Sequence, residues 1–188
     1  MSNPLYQGCT VGDLVVTAIH RGGNRIAFIS DDTQWTYRHL GALVSQVIQA
    51  LQARGLKRGD AVATLSANRP EAFLITAAAY VMGLRVTWMN PTSSEDDHAY
   101  ILEDSGVTTL FFDPRSFADR TRVLQQRVPG VQRLMGFGDS NGLGEDLLAA
   151  AGVDWKGYAA LIGARPHAQK VDADKKADAA RMAAAAKS

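Results

Sequence analysis

The residues of this chain able to do chemistry are few, and spacing disposes of most of them. The 4 histidines, His20, His39, His98 and His167, are scattered with no pair at metal-ligand spacing. His39 and His98 fall on expected helices and are read as surface residues. The 1 cysteine, Cys9, permits no disulfide and no thiolate metal site within the chain. Gly138-Asp139-Ser140-Asn141-Gly142 has the Gly-x-Ser-x-Gly pattern of a serine hydrolase, but it falls in an expected loop rather than on a tight strand-to-helix turn, so no nucleophile elbow is assigned. Gly136-Phe137-Gly138, with Gly142 and Gly144, has the composition of a phosphate loop. Its spacing fits neither the dinucleotide fingerprint nor the P-loop, and no Gly-Lys-Ser/Thr follows, so it is read as a surface loop. Glu95-Asp96-Asp97 could ligate a cation, yet acids just after Ser93-Ser94 are what the first turn of a helix favours. The turn Asn90-Pro91-Thr92 remains. It follows an expected strand, and in open parallel sheets ligands approach the carboxyl ends of strands.

The elements that must position this turn are legible from periodicity. Val11, Leu14, Val15 and Ala18 have helical spacing, and Gly22-Gly23-Asn24 breaks that helix. Ile26 to Ser30 and Gln34-Trp35-Thr36 read as a hairpin around Asp31-Asp32. Thr36 can cap a helix whose apolar face holds Leu40, Leu43, Val44, Val47, Ile48 and Leu51, with Gly55 as its left-handed stop. Ala61 to Leu65 is an almost unbroken apolar run, as in a strand covered on both faces. A helix from Glu71 to Met82 follows, with Asn68 and Glu71 as its expected caps, then a strand from Arg85 to Met89 whose Trp88 and Met89 are expected in the core. The next helix starts at Ser93-Ser94 and ends near Ser105-Gly106. Thr108 to Phe112 is a strand, Ser116 to Arg127 a helix and Val131 to Gly136 a strand. Glu145 to Ala151 and Asp154 to Ile162 are expected as short helices, and the alanine-rich stretch from Lys170 to Ser188 as a solvated tail. Strands alternating with helices predict an α/β fold: a doubly wound, mostly parallel sheet with helices on both faces.

Composition narrows the classes further. The 188 residues suffice for one substantial core, and a hydrophobic share of 46% is that of a globular protein. A net charge of +1, with no basic cluster, argues against nucleic acid as a partner. The longest nearly apolar stretch, Ala72 to Leu84, is too short to span a bilayer, so no transmembrane segment is expected. Met1-Ser2-Asn3-Pro4 lacks the basic and apolar parts of a signal peptide, and the expected compartment is the cytoplasm.

Five segments stand in a telling order: Thr36-Tyr37-Arg38-His39-Leu40, Gly55 to Val62, Asn68-Arg69-Pro70-Glu71, Asn90-Pro91-Thr92 and Tyr100 to Gly106. Together they resemble the N-terminal region of the AMP-forming acyl-CoA synthetases, over about Val11 to Pro114. The resemblance implies an N-terminal α/β subdomain, expected over residues 1–165, and the composition adds an alanine-rich polar tail over 166–188. It implies ATP with magnesium and coenzyme A as the cofactors of the full-length family, and a fatty or aromatic carboxylic acid as substrate. In that family the stretch after this strand and the loop after the next approach the nucleotide part of CoA. The corresponding residues here are Asn90, Pro91 and Thr92, then Arg115 and Arg120, whose guanidinium groups suit a phosphate.

The same resemblance marks an absence. The family's chemistry needs a flexible Ser/Thr/Gly loop ending in Pro-Lys, whose N–H groups hold the departing pyrophosphate. These 188 residues contain no such loop, nor a Tyr-Gly-x-Thr-Glu motif, a ribose-binding Asp or a late catalytic Lys. No catalytic residue is therefore assigned. Three readings stay open: the front of an acid–CoA ligase inactive by itself, a stand-alone binding or interaction module without catalysis, and a chain completed by a second polypeptide. The first expects an apolar face that meets the missing part of the synthetase or a homo-oligomer partner.

Overall fold

Thr10 and Asp13 open the first helix of the computed structural model, which describes residues 8–30 and 33–153. The Thr10 hydroxyl accepts from the Asp13 N–H, and the Asp13 carboxylate accepts from the Thr10 N–H, satisfying donors that the helix leaves unpaired. This helix, α1, spans Val11–Gly22. An antiparallel hairpin follows, β1 at Ile26–Ser30 and β2 at Thr33–Thr36. Thr36 caps α2, Tyr37–Ala53, as its sequence suggested, by accepting from the His39 N–H.

The sheet begins with β3, Ala61–Leu65, buried along its whole length. α3 at Pro70–Met82 leads to β4 at Arg85–Met89, and α4 at Glu95–Asp104 to β5 at Thr109–Phe112. α5 at Pro114–Arg127 precedes β6 at Arg133–Gly136. The last elements are β7, Glu145–Asp146, and α6, Leu147–Ala150. The strands pair in parallel in the order β4-β3-β5-β6-β7. Helices cover both faces. Val62 and Phe111 point into an apolar layer with Val47, Leu51, Leu74 and Ile75, on the side of α2 and α3. Ala63, Leu65 and Phe112 point into the opposite layer with Leu102 and Leu124, on the side of α4 and α5. The α/β fold with helices on both faces is therefore the one the sequence predicted.

α3 is apolar on nearly every side because most of it is covered: it packs on the sheet and beneath both α1 and α2, and leaves Phe73 exposed. Gly12 permits the α1 approach, since a Cβ there would lie 2.5 Å from the Tyr80 carbonyl oxygen. Gly83 ends α3 at φ 72°, a conformation that costs glycine nothing.

Several expectations need correcting. Glu145 and Asp146 form an edge strand on β6, and the helix starts only at Leu147. The cap of α3 is Arg69, without a side-chain capping bond, so neither Asn68 nor Glu71 has that role. His39 and His98 are buried, at 4% and 0% exposure, and Trp88 is 48% exposed because β4 is an edge strand. Burial pushes the His39 imidazole below its ordinary pKa, by desolvating the charged form. The expected helix at Asp154 to Ile162 and the tail from Lys170 lie outside the described residues.

One surface pair gives a pH prediction. Arg54, at the end of α2, holds the Glu145 carboxylate with two N–H groups, and these bonds keep that carboxyl below its ordinary range. A carboxyl more acidic in the fold than in the unfolded chain stabilises above its unfolded pKa, and this is lost as pH falls through the folded one. Glu145 is 46% exposed, so solvent screens the pair. Arg54→Met is expected to cost less than about 1 kcal/mol at neutral pH. Urea unfolding between about pH 3 and 7 checks this: the variant should lose less stability than the parent on acidification.

Candidate functional site

The direction of sheet growth reverses at β3. From β3 the chain steps outward to β4, then returns across β3 to place β5 on the other side. The loops leaving β3 and β5 therefore diverge, and such a switch point at the carboxyl ends of parallel strands is where open α/β sheets form their crevice. Here the crevice is bridged by charge. Arg69, on the loop after β3, donates from Nη1 to Asp113 Oδ1 at 2.6 Å, directly after β5. Its Nη2 donates to Glu71 Oε1, also at 2.6 Å. Only 14% of the Arg69 side chain and 2% of the Asp113 side chain are exposed, so water screens this clasp little. Asp113 Oδ1 further accepts the N–H of Arg115 at the start of α5.

The open space lies to the β4 side of the clasp. A cleft of about 390 Å³ runs between Phe73 and Trp88, floored by Met89 and Ala72, with Pro91 and Arg69 at its margins. Its walls are apolar and its one cation is already neutralised by two carboxylates, so it suits an uncharged group. Phe73 meets Phe28 edge to face at 4.7 Å between ring centres. Beyond Phe28 a second hollow of about 360 Å³ is lined by Leu14, Val15, Ile19 and Leu40. Exposed Leu14, Ile29, Phe73 and Trp88 thus follow one apolar face from α1 across the hairpin to the end of β4.

Of the residues singled out from the sequence, Pro91 lines this cleft, and the five stand in two different states. Asn90, Pro91 and Thr92 are exposed, and the Asn90 Oδ1 accepts from both the N–H and the hydroxyl of Thr92, at 3.0 and 2.9 Å. Arg115 is exposed, and its guanidinium makes no ion pair among the described residues. Arg120 differs. Its Nη1 donates to the Ser93 carbonyl at 3.3 Å and meets His98 Nδ1 at 3.1 Å, and its Nε lies 3.7 Å from Glu95. Glu95 and Asp96 are both paired with Arg127, and Asp97 accepts from Ser94 in a capping box. No group of three metal-ligating side chains occurs among the described residues, so these acids serve the start of α4. The site residues that sequence reasoning missed are Arg69, Asp113, Trp88 and His98. Their signal is weak, because Arg69 and Asp113 meet only when β3 and β5 pair.

The family model for AMP-binding enzymes matches residues 15–181. The chain belongs to that family. Its similarity to the AMP-forming CoA ligases is borne out, and the match runs well past Pro114, where the sequence motifs suggested it would stop. A medium/long-chain fatty-acid–CoA ligase of Mycobacterium tuberculosis is 38% identical over 128 residues, which cover 68% of this chain and 22% of that protein. A 2-succinylbenzoate–CoA ligase of Bacillus pumilus is 30% identical over 90 residues, 48% of this chain and 18% of that one. The amide bond synthetase of Marinactinospora thermotolerans matches in structure with a TM-score of 0.65 at 25% identity, covering 73% of this chain and 28% of that chain. This AMP-binding family member thus spans about a fifth of the length of the curated relatives it matches.

Proposed function

We propose that this chain forms the front of an ATP-dependent acid–CoA ligase acting on a fatty or aromatic carboxylic acid, and that it forms no acyl-adenylate by itself. The observation that carries the reading is its 38% identity to a fatty-acid–CoA ligase of which it covers only 22%. In that chemistry a carboxylate oxygen attacks the α-phosphorus of ATP and expels pyrophosphate, and the CoA thiol then displaces AMP. Magnesium and the pyrophosphate would need a loop that these 188 residues do not contain, so no residue here is given the adenylation step.

CoA is a better fit to the residues present. Arg115 offers a solvent-facing cation for a phosphate, whereas the Arg120 guanidinium is engaged within the fold. Asn90, Pro91 and Thr92 form the exposed turn next to an apolar cleft that could receive an uncharged part of the ligand. The remainder of the synthetase is the proposed partner for the apolar face along Phe73 and Trp88. The proposed compartment is the cytoplasm; among the described residues no helix is long and apolar enough to cross a membrane.

A pyrophosphate-release assay with ATP, magnesium and a panel of fatty and aromatic acids tests this reading. The chain alone is expected to give no turnover above a heat-killed control. Turnover would overturn the reading, because some other set of residues would then be stabilising the pyrophosphate.

A further inference from the structure

His98, beside the candidate site, is fully buried at 0% exposure, and both of its ring nitrogens are used. Nε2 lies 2.8 Å from the Asn90 carbonyl oxygen and Nδ1 lies 3.1 Å from Arg120 Nη1. The partners assign the tautomer. A carbonyl only accepts, so Nε2 carries the hydrogen; a guanidinium only donates, so Nδ1 presents its lone pair. Arg120 also donates to the Ser93 carbonyl, and the Ser93 N–H donates to the same Asn90 oxygen that His98 holds, at 3.1 Å. The two carbonyls that bracket the turn are thus tied to a buried ring on α4 and a cation on α5.

We infer that His98 and Arg120 are positioning residues that hold the Asn90–Ser93 turn in the shape it presents at the sheet edge. This assigns Arg120 a role in the loop's geometry in place of contact with a phosphate, and it leaves Arg115 to meet the ligand. It rests on the proposal that this turn is the CoA-facing edge, yet its own content is independent of CoA. Among the described residues the turn's one other side-chain tie is internal, from Thr92 to Asn90 Oδ1. That contact shapes two residues but anchors nothing to the body of the fold. The anchor is the line from Arg120 through His98 to Asn90.

Amide hydrogen exchange on the whole chain tests this at the Thr92 and Ser93 N–H groups, with CoA titration by calorimetry as a second arm. A hydrogen bond to a buried neutral partner is worth about a factor of five to ten in a local opening equilibrium. His98→Leu and Arg120→Met are each expected to speed Ser93 exchange by about that factor relative to amides in β3. His98→Gln places an amide N–H near the position of Nε2 and should restore slow exchange. His98→Asn reaches only the position of Nδ1 and should not. Arg120 is half-buried, so Arg120→Met gives an answer even where His98→Leu fails to fold. Unchanged Ser93 exchange in Arg120→Met and His98→Asn would overturn the assignment. So would a His98→Gln variant as loose as His98→Asn, since the ring would then be filling space only. A loosened turn with CoA affinity equal to the parent's upholds the positioning role and removes the CoA-edge proposal, which keeps the two failures apart.

Discussion

Replacing Arg69 with methionine should lower the free energy of unfolding by about 3–5 kcal/mol, the cost of leaving a buried carboxylate without its cation. Asp113 is the group left behind: its side chain is 2% exposed, and Arg69 Nη1 is its partner at 2.6 Å. Glu71, at 16%, can turn toward water more readily. For a domain of this size the loss corresponds to a fall in melting temperature of roughly 6–20 °C. Urea and thermal unfolding measure it directly. The double variant Arg69→Met with Asp113→Leu should recover most of the loss, because removing both charges also removes their desolvation cost. A loss in the single variant below about 1 kcal/mol would show that water reaches the clasp and screens it like a surface pair. The expected result bears on the site as well as on stability. Arg69 joins the two loops that diverge at the switch point, so its loss should open the crevice that the native fold keeps bridged.

The parts of this architecture legible in the sequence are those fixed by local pattern. β3 announces itself by an apolar run, α2 by six apolar positions on one face, and the ends of α2 and α3 by Gly55 and Gly83 at positive φ. Ser94 and Asp97 likewise cap α4 with groups only three residues apart. What escaped depends on neighbours distant in the chain. β7 is two polar residues that become a strand only because β6 lies beside them. Trp88 looks like core until β4 proves to be an edge, and Glu71 looks like a cap until Arg69 turns out to need it. His98 sits among acids on a polar helix start, so nothing local marks it for burial. Its partners lie eight residues back and twenty-two residues on, as intervals that become contacts only when α4 and α5 pack together. For the candidate site, the turn at Asn90 was visible as a strand end, whereas the difference between Arg115 and Arg120 was not. Both are arginines on one helix, and only the fold shows that Arg120 lies near Glu95 while Arg115 makes no ion pair among the described residues.

The adjacent residues Phe111 and Phe112 test whether the two apolar layers are equally necessary. Both are fully buried on β5, the strand that stands between β3 and β6 at the middle of the sheet, and they face opposite sides. Phe111 packs into the layer of α2 and α3, which has the larger set of buried residues. Phe112 packs into the layer of α4 and α5, beneath the elements that carry His98 and Arg120. Truncating either to alanine removes most of a side chain from a close-packed interior and should cost about 3–5 kcal/mol, transfer and cavity terms together. The local consequences should differ. Phe112→Ala is expected to loosen the Asn90–Ser93 turn as well, because α4 and α5 lose part of the surface on which they sit. Phe111→Ala should leave that turn's exchange close to the parent's while lowering global stability by a similar amount. Urea unfolding with amide exchange on both variants decides the point. Equal loosening of the turn in both would mean that the sheet transmits strain across its two faces, and that the site depends on the whole core rather than on the layer beneath it.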